Sequence, residues 1–230
     1  MGVRLRSTAR AFRGVAVTDP MAGGVAPPRT SPPPPPQSAP GWGPPATAVQ
    51  AFRRLEQPVA LLLQPAGLPP AVLDLTRHEF VWAHPLAAFP VDPGSVLVAT
   101  QQITPDRPSP IRGSGDDLDA LLWLIGLHAF PASRAPWLGA DEKFRLRRWP
   151  YFEALVHSDD QARVVKALAR GFMTVDKAAS SAKVDPATAQ QVINALSLMT
   201  ALRRTGHEPS GPTAPAGSLA SLADLPPPGR

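Results

Sequence analysis

Residues 116–130 read DDLDALLWLIGLHAF, and this stretch determines more of the fold than any other. Apolar side chains occupy nearly every position from Leu118 onward, so a helix made from them has no polar stripe. Such a helix must be covered by other elements on several sides. We therefore predict a core helix over 118–130, packed against a sheet and ended by Pro131.

Three acidic side chains open this helix, Asp116, Asp117 and Asp119. Negative charge is favoured there because the first N–H groups of a helix are unpaired and its dipole is positive at that end. Carboxylates also suit Mg²⁺, but no phosphate-binding motif accompanies them. We predict that Ser114 or Asp116 caps the helix and that these residues hold no metal.

Short apolar runs separated by turn residues lie upstream of the core helix. They predict an amphipathic helix over 47–55 and four strands over 58–63, 71–75, 79–83 and 95–103. The short connections between these strands favour an antiparallel meander. We therefore predict a small α+β domain over 47–140, in which a small antiparallel sheet packs on one buried helix.

Three helix signals follow downstream. Residues 143–149 alternate charged and apolar side chains, which predicts a short strand or an extended arm. Helices are predicted over 161–170, 175–183 and 187–204, capped by Ser158-Asp159-Asp160, by Thr174 and by Asp185. The order of these helices, with small residues in the second and a short turn before the third, resembles a winged helix-turn-helix domain over about residues 159–206. We predict a helical, winged-helix-like domain over 141–206.

This resemblance implies that the third helix reads DNA. The implied base contacts are Thr188, Gln190, Gln191 and Asn194. The implied phosphate contacts are Lys166, Lys177, Lys183, Arg203 and Arg204. The chain departs from the family in two ways, because the outward face of the third helix lacks Arg and Lys before Arg203, and residues 208–212 resemble a tail where the wing should follow. A solvated face and a protein-binding surface therefore stay open as alternatives.

A second candidate surface combines aromatic and guanidinium groups beside prolines. It consists of Trp137, Arg147, Arg148 and Trp149. Such groups can contact proline or arginine in a partner protein. Packing between the two halves of the chain is the alternative interpretation.

Composition excludes several kinds of chemistry. The chain of 230 residues has no cysteine, which rules out zinc–cysteine sites, disulfides, thiol nucleophiles and iron–sulfur clusters. The five histidines show neither HExxH nor HxH spacing, and no GxSxG occurs. We predict no catalytic residue and no cofactor, although a Ser-His-Asp site assembled only by the fold stays open.

Charge and proline are unevenly distributed along the chain. Residues 1–46 hold the run Pro32 to Pro36 and five arginines against one acid, and we predict a disordered Pro/Arg-rich tail there. Residues 207–230 are predicted to be a second disordered tail. Residues 141–206 carry eleven basic and seven acidic side chains, a net charge of +4. Translation is expected to start at Met1 or at Met21.

These observations favour a non-enzymatic cytoplasmic regulatory or adaptor protein that acts by binding another protein. The alternative is a DNA-binding transcriptional regulator that uses the helix over 187–204. Because no run of 18 apolar residues occurs, no membrane association is expected. The abundance of Ala, Arg, Pro and Gly is typical of bacterial proteins from GC-rich genomes, and the whole chain resembles only uncharacterised bacterial proteins.

Overall fold

The computed structural model describes residues 39–55, 57–131, 133–205 and 220–221. These residues belong to the unit Pro33–Arg230. The tails predicted over 1–46 and 207–230 lie mostly outside them, so most of that prediction is not addressed. The fold class is α+β, as predicted.

The described residues form five α-helices and nine strands. The helices are α1 (Gly43–Leu55), α2 (Leu118–Ala129), α3 (Asp159–Arg170), α4 (Val175–Ala182) and α5 (Pro186–Leu198). The strands are β1 (Ala39–Pro40), β2 (Val59–Pro65), β3 (Ala71–Asp74), β4 (Glu79–Val81), β5 (Ser95–Gln102), β6 (Asp116–Asp117), β7 (Lys143–Leu146), β8 (Leu202–Thr205) and β9 (Ala220–Ser221).

The larger sheet has the strand order β1-β5-β2-β3-β4-β6, and β9 pairs with β5 in parallel. All neighbours along the order from β1 to β6 are antiparallel, and Leu62 of β2 pairs with Val72 on one side and Ala99 on the other. The predicted meander is wrong for the fourth long strand, because β5 returns beside β2 instead of following β4. Strand β2 has a neighbour at each edge, and nearly all of its residues are buried, as is typical of a central strand. The result is the Greek-key order 4-1-2-3.

Helix α1 begins at Gly43, earlier than predicted, with two prolines in the first turn where their missing N–H groups cost nothing. The preceding Trp42 is buried: its ring stacks on Phe89 at 4.6 Å, and its Nε1 donates to the Pro90 carbonyl at 2.7 Å. The prediction of a disordered tail is therefore wrong for residues 41–46, which enter the fold. Burial of one large aromatic ring anchors this segment to the core.

Helix α2 is the core helix that the sequence predicts, since all but its last two residues are buried. It packs on α1, on α5 and on β4. Its N-cap is Asp117, whose carboxylate accepts from the N–H of Asp119 at 3.0 Å. The predicted caps Ser114 and Asp116 are wrong, because Asp116 pairs with Phe80 in the sheet and the helix starts after it.

The N-caps Thr174 and Asp185 are as predicted, and in the predicted cap Ser158-Asp159-Asp160 it is Ser158 that caps, because α3 already begins at Asp159. The prediction that α5 continues to Arg204 is wrong, because α5 ends at Leu198 and the chain reverses through Thr200, whose φ is +56°. The residues beyond this turn form β8.

Strand β8 pairs antiparallel with β7, which confirms the predicted strand at the start of 143–149. On the other side of β7, Phe144 and Met173 exchange backbone hydrogen bonds of 2.8 and 3.0 Å. The loop between α3 and α4 is thereby joined to the β7–β8 ladder.

One hydrophobic cluster includes side chains from α1, the sheet, α2 and all three C-terminal helices. It continues across residue 140, where we predicted a domain boundary. The close crossing of α2 and α5 depends on Gly126, because a Cβ there would collide with the Cα of Ala195. Within the described part of the chain, no helix is both long and apolar enough to cross a membrane.

Candidate functional site

A cavity of about 390 Å³ lies where the ends of α1, α5 and β7 meet β8. Four arginines line it, and among the described residues its lining includes no acidic side chain. We call it the arginine pocket. Its lining residues are Gln50, Arg53, Arg54, Trp137, Arg147, Ser197, Thr200, Leu202 and Arg204.

Two guanidinium groups hold the C-terminal end of α5 at this pocket. Arg53 donates from NH1 to the Leu198 carbonyl at 2.6 Å, and Arg148 donates from NH2 to the Met199 carbonyl at 2.9 Å. The last carbonyls of a helix have no partner within the helix, and the helix dipole is negative there. The two arginines therefore connect the end of α5 to α1 and to the segment after β7.

A buried chain of hydrogen bonds forms one wall of the pocket. Trp137 donates from Nε1 to Ser197 Oγ at 2.9 Å, and Ser197 donates to the Asn194 carbonyl at 2.7 Å. Arg204 donates from NH1 to the Trp137 carbonyl at 2.8 Å. Because these partners come from the loop after α2, from α5 and from β8, the wall is fixed by three segments.

A second network of charged groups connects Arg53 to the start of α2. Arg53 NH2 lies 3.0 Å from His78 Nδ1, and His78 Nε2 lies 3.0 Å from Asp119 Oδ1. A guanidinium only donates, so Nδ1 accepts and the ring hydrogen sits on Nε2, which donates to the carboxylate. Arg148 NH2 contacts the other carboxylate oxygen at 2.5 Å.

Burial and neighbouring charges shift the pKa values of Asp119 and Arg53 in opposite directions. Burial of the Asp119 carboxyl raises its pKa, but the hydrogen bonds from His78 and Arg148 and the positive charge of Arg148 outweigh burial, so that the pKa lies below its usual value. Burial lowers the pKa of Arg53, and the negative charge of Asp119 opposes that change. Asp119 is thus an ionised carboxylate that compensates the positive charge of Arg53 and Arg148.

His78, Asp117 and Asp119 place potential metal ligands within 4.8 Å of one another. Two features of the cluster oppose a bound cation. The hydrogen on His78 Nε2 occupies the lone-pair position that a metal would need, and the guanidinium of Arg148 already binds Asp119. We attribute this cluster to the structural network.

Two arginines of the pocket lack an acidic partner among the described residues, Arg54 and Arg147. Arg54 is half-buried, and its NH2 is enclosed with no hydrogen-bond partner in the described part of the chain. Arg204 differs, because the buried carboxylate of Glu142 lies 3.8 Å from its NH1. An enclosed guanidinium nitrogen without an acceptor is costly, and this makes the pocket the strongest candidate site.

The structure brings together several of the side chains that the sequence singled out. Trp137, Arg147 and Arg204 line the arginine pocket, and Arg148 belongs to the adjacent network. Trp149 is 53% exposed and does not line it.

The polar residues predicted to face outward on α5 are largely used within the protein. Asn194 is fully buried: its Oδ1 accepts from the Ala135 N–H at 3.1 Å, and its Nδ2 donates to the Ser133 carbonyl at 3.0 Å. Gln190 donates to Asn194, and Gln191 donates to the Pro131 carbonyl. The prediction that Asn194 faces outward is wrong, because the loop after α2 folds over this face. Thr188 bonds to the cap, Asp185.

The predicted phosphate contacts are dispersed over the C-terminal part. Lys166 and Lys183 line a cleft of about 300 Å³ between α3 and α4, together with Arg163 and Arg170. Lys177 and Arg203 are exposed on α4 and on β8. Only Arg204 of this predicted set lines the arginine pocket.

Sequence reasoning missed Gln50, Arg53 and Arg54 as site residues. The available signal was the adjacent pair Arg53-Arg54 at the end of an amphipathic helix, where basic residues commonly compensate the helix dipole. Nothing in that local pattern indicates that the pair meets Arg147, which lies far along the chain. Only the fold brings these residues together.

A third cleft, of about 700 Å³, lies between the loop after α2 and the N-termini of α4 and α5. Its lining mixes Arg134 and Lys143 with Asp141 and Asp176, so it has no dominant charge.

Comparison of the chain with protein-family models, with curated proteins and with solved structures found no match.

Proposed function

We propose that this chain is a non-enzymatic regulatory or adaptor protein that binds another protein, and that the arginine pocket receives an acidic group of the partner. The observation that carries the proposal is the pair Arg54 and Arg147, which share one concave pocket without a carboxylate partner among the described residues. Arginine is the side chain best suited to carboxylate and phosphate recognition, because its planar group offers five donors in a fixed fork.

Preorganisation of the pocket supports this proposal. Two of its other arginines are held by hydrogen bonds to backbone carbonyls, Arg53 to Leu198 and Arg204 to Trp137. A partner therefore meets two guanidinium groups that are already ordered beside Arg54 and Arg147, so less conformational entropy is lost on binding than at a wholly flexible surface. We further propose that α3 to α5, with β7 and β8, act as a winged-helix-like module for protein contact.

Selection from a random displayed-peptide library tests the proposal even though the partner is unidentified. We expect the wild-type chain to enrich peptides rich in Asp and Glu. The double variant Arg54→Ala/Arg147→Ala should lose this enrichment, because it removes both unpaired charges.

The matched control is Arg107→Ala/Arg112→Ala, which removes the same charge from two exposed arginines outside the pocket. It should enrich the same peptides as the wild type. If the two double variants select identical peptides, or if the wild type selects no acidic sequence, the arginine pocket is not the binding site.

One observation favours the alternative of nucleic-acid binding, at a place other than the predicted base-reading face. The cleft between α3 and α4 gathers four basic side chains, Arg163, Lys166, Arg170 and Lys183. If it binds duplex DNA, the logarithm of the affinity falls linearly with that of the salt concentration, by about 0.9 for each phosphate contact. Lys166→Ala/Lys183→Ala should then reduce this slope by about two, measured by fluorescence anisotropy. An unchanged slope excludes this cleft.

A further inference from the structure

We infer that the acidic group received by the arginine pocket is a phosphoryl dianion, carried by a phosphorylated serine or threonine of the partner or by a small phosphate compound. The inference rests on the proposed function and adds the chemical class of the ligand.

The local charge at the pocket is positive. The pocket has four guanidinium groups, and two of them lie near a carboxylate. Arg204 faces Glu142, and Arg53 interacts with the charge of Asp119. Arg54 and Arg147 remain uncompensated by acids among the described residues, and Asp119 is shared between Arg53 and Arg148, so the positive charge here exceeds the negative charge of those residues by at least two. A phosphate monoester carries a charge of about −1.5 to −2 at neutral pH, whereas one carboxylate carries only −1.

The two unpaired arginines of the pocket come from separate elements of the fold. Arg54 comes from the last turn of α1, and Arg147 comes from the segment after β7. A carboxylate presents two coplanar oxygens and is satisfied by one arginine fork. A phosphoryl group presents three acceptor oxygens around a tetrahedral centre, so donors from separate elements can bind it together.

The pocket also has polar atoms that are unpaired among the described residues. Besides Arg54 NH2, the oxygen Oε1 of Gln50 is enclosed in this region with no donor among the described residues. The oxygen and nitrogen of an amide exchange positions by a half-turn of the side chain. After that turn, Gln50 supplies an N–H donor for an anionic oxygen in place of an unpaired acceptor.

The shape of the site argues against the backbone of duplex DNA as the ligand. Each phosphodiester carries a single negative charge, and the phosphates of a duplex are spread along a convex surface. The arginine pocket concentrates its unpaired charge in one cavity of about 390 Å³, lined by Trp137 and Leu202 as well as by arginines.

Isothermal titration of the full chain with four peptides of otherwise identical neutral sequence tests the inference. The central residue is phosphoserine, glutamate, serine or phosphothreonine. We expect the two phosphopeptides to bind at least about tenfold more tightly than the glutamate peptide, because a dianion engages both unpaired arginines. The affinity for the phosphopeptides should rise between about pH 5 and about pH 7, as the phosphoryl group loses its second proton with a pKa of about 6.

Variants locate the effect within the pocket. Arg54→Ala/Arg147→Ala should weaken phosphopeptide binding by more than about tenfold, while Arg107→Ala/Arg112→Ala should leave it unchanged. Circular dichroism checks that each variant is folded. If the double variant does not fold, Arg147→Ala alone gives the same test, since this exposed side chain makes no hydrogen bond within the described residues.

Inorganic phosphate and O-phosphoserine separate the two possible sources of the phosphoryl group. If they bind as tightly as the phosphopeptides, the ligand is a small phosphate compound; if they bind much more weakly, it is a phosphorylated partner. Either result supports a phosphoryl site.

Equal binding of the glutamate peptide and the phosphopeptides overturns the phosphoryl inference but leaves the proposal of an acidic partner unaffected. If no phosphate probe binds, the inference is wrong, and the peptide library decides separately about the proposed function. Competition by duplex DNA at equal phosphate concentration also overturns it.

Discussion

Asp119 is a charged residue in the first turn of an otherwise apolar helix, and only 10% of its side chain is exposed. It is tolerated there because His78 and Arg148 bind both of its oxygens. Their effect leaves the pKa of Asp119 below its usual value despite burial. A lowered carboxyl pKa stabilises the folded state above the unfolded-state pKa, and that stability is lost as the pH falls through the folded-state pKa.

We therefore expect Asp119→Asn to lower the free energy of unfolding at pH 7 by about 1.5–3 kcal/mol, the range for hydrogen bonds to charged groups. The difference from the wild type should shrink as the pH falls below about 4, where the unfolded carboxyl becomes protonated. Urea unfolding over a pH series measures both effects. Asp160→Asn is the control, since its pair with Arg163 is exposed and should contribute less than about 1 kcal/mol. A loss that does not depend on pH would contradict this account of Asp119.

Asn194 gives a second test at this scale, because its position on α5 predicts a base-reading residue and the structure buries it. Its carboxamide binds the Ala135 N–H and the Ser133 carbonyl in the loop after α2. Asn194→Ala leaves these groups without their partner, and we expect the free energy of unfolding to fall by about 1–3 kcal/mol. Gln191→Ala, which removes one exposed hydrogen bond, should cost less than about 1 kcal/mol. Thermal denaturation compares the two, and an unchanged melting temperature for Asn194→Ala would make this residue a candidate surface contact again.

Asn194 is an example of a residue whose burial cannot be predicted from the sequence. A polar side chain on the face of α5 opposite the apolar stripe is expected to be solvated. The sequence does not show that a loop sixty residues away folds over that face and uses the amide as its hydrogen-bond partner. The N-caps of α3 to α5 were predictable, because a cap bonds only to residues two or three positions away.

Among the elements, helices α2 and α5 cross so closely that only a glycine fits at the crossing point on α2, Gly126. A Cβ on Gly126 would collide with the backbone of Ala195, and backbone atoms cannot move aside as a flexible side chain can. We expect Gly126→Ala to lower the free energy of unfolding by about 1–3 kcal/mol or more, through overpacking. This loss should outweigh the gain of about 0.5–1 kcal/mol from replacing glycine in a helix.

Gly171→Ala is the matched control for this prediction. No described atom lies within 4 Å of a Cβ at that position, and its φ of 168° is extended backbone that any residue adopts. It should be neutral or raise stability by up to about 1 kcal/mol. Chemical denaturation of the two variants measures the difference. Equal free energies of unfolding for Gly126→Ala and Gly171→Ala would show that α2 and α5 can move apart without loss of stability.

The elements themselves were predicted to different degrees. The burial of α2 followed from its composition, since a helix without a polar stripe has no surface to turn toward water. The return of β5 to the side of β2 was missed, because alternation of side chains predicts a strand but not its neighbour. The end of α5 was also missed. Leu202 continues the helical spacing of apolar residues, and it fits equally well in β8, where it lies opposite Leu146.

In the whole molecule, the arginine pocket and the hydrophobic core are both formed by elements from the two predicted domains. The pocket exists only because α1, from the predicted first domain, meets α5 and β8, from the predicted second one. Local sequence patterns gave no signal for that meeting. The residues that form the wall of the pocket, such as Trp137 and Ser197, also join the two parts through buried hydrogen bonds. A substitution that disrupts the packing between residues 47–140 and 141–206 should therefore disrupt the arginine pocket as well.

The continuity of the core leads to a prediction for the two parts. If 47–140 and 141–206 were independent, a fragment of residues 141–206 would fold alone. It would then expose the buried residues of α5 that α2 and the loop after α2 cover in the whole chain. Exposing one large apolar side chain costs about 1.5–3 kcal/mol, and domains are stable by only about 5–15 kcal/mol in total.

We therefore expect the fragment to show no cooperative unfolding transition. The full chain should unfold in a single step, with coincident midpoints by circular dichroism, which reports the helices, and by tryptophan fluorescence, which reports the core. Trp123 connects the halves directly, since its Nε1 donates to the Val156 carbonyl at 2.9 Å. Two separated transitions, or a fragment with the midpoint of the full chain, would show that the continuous core is two domains in contact. The arginine pocket would then be an interface that opens when they part, and phosphopeptide affinity should fall at the first of the two midpoints.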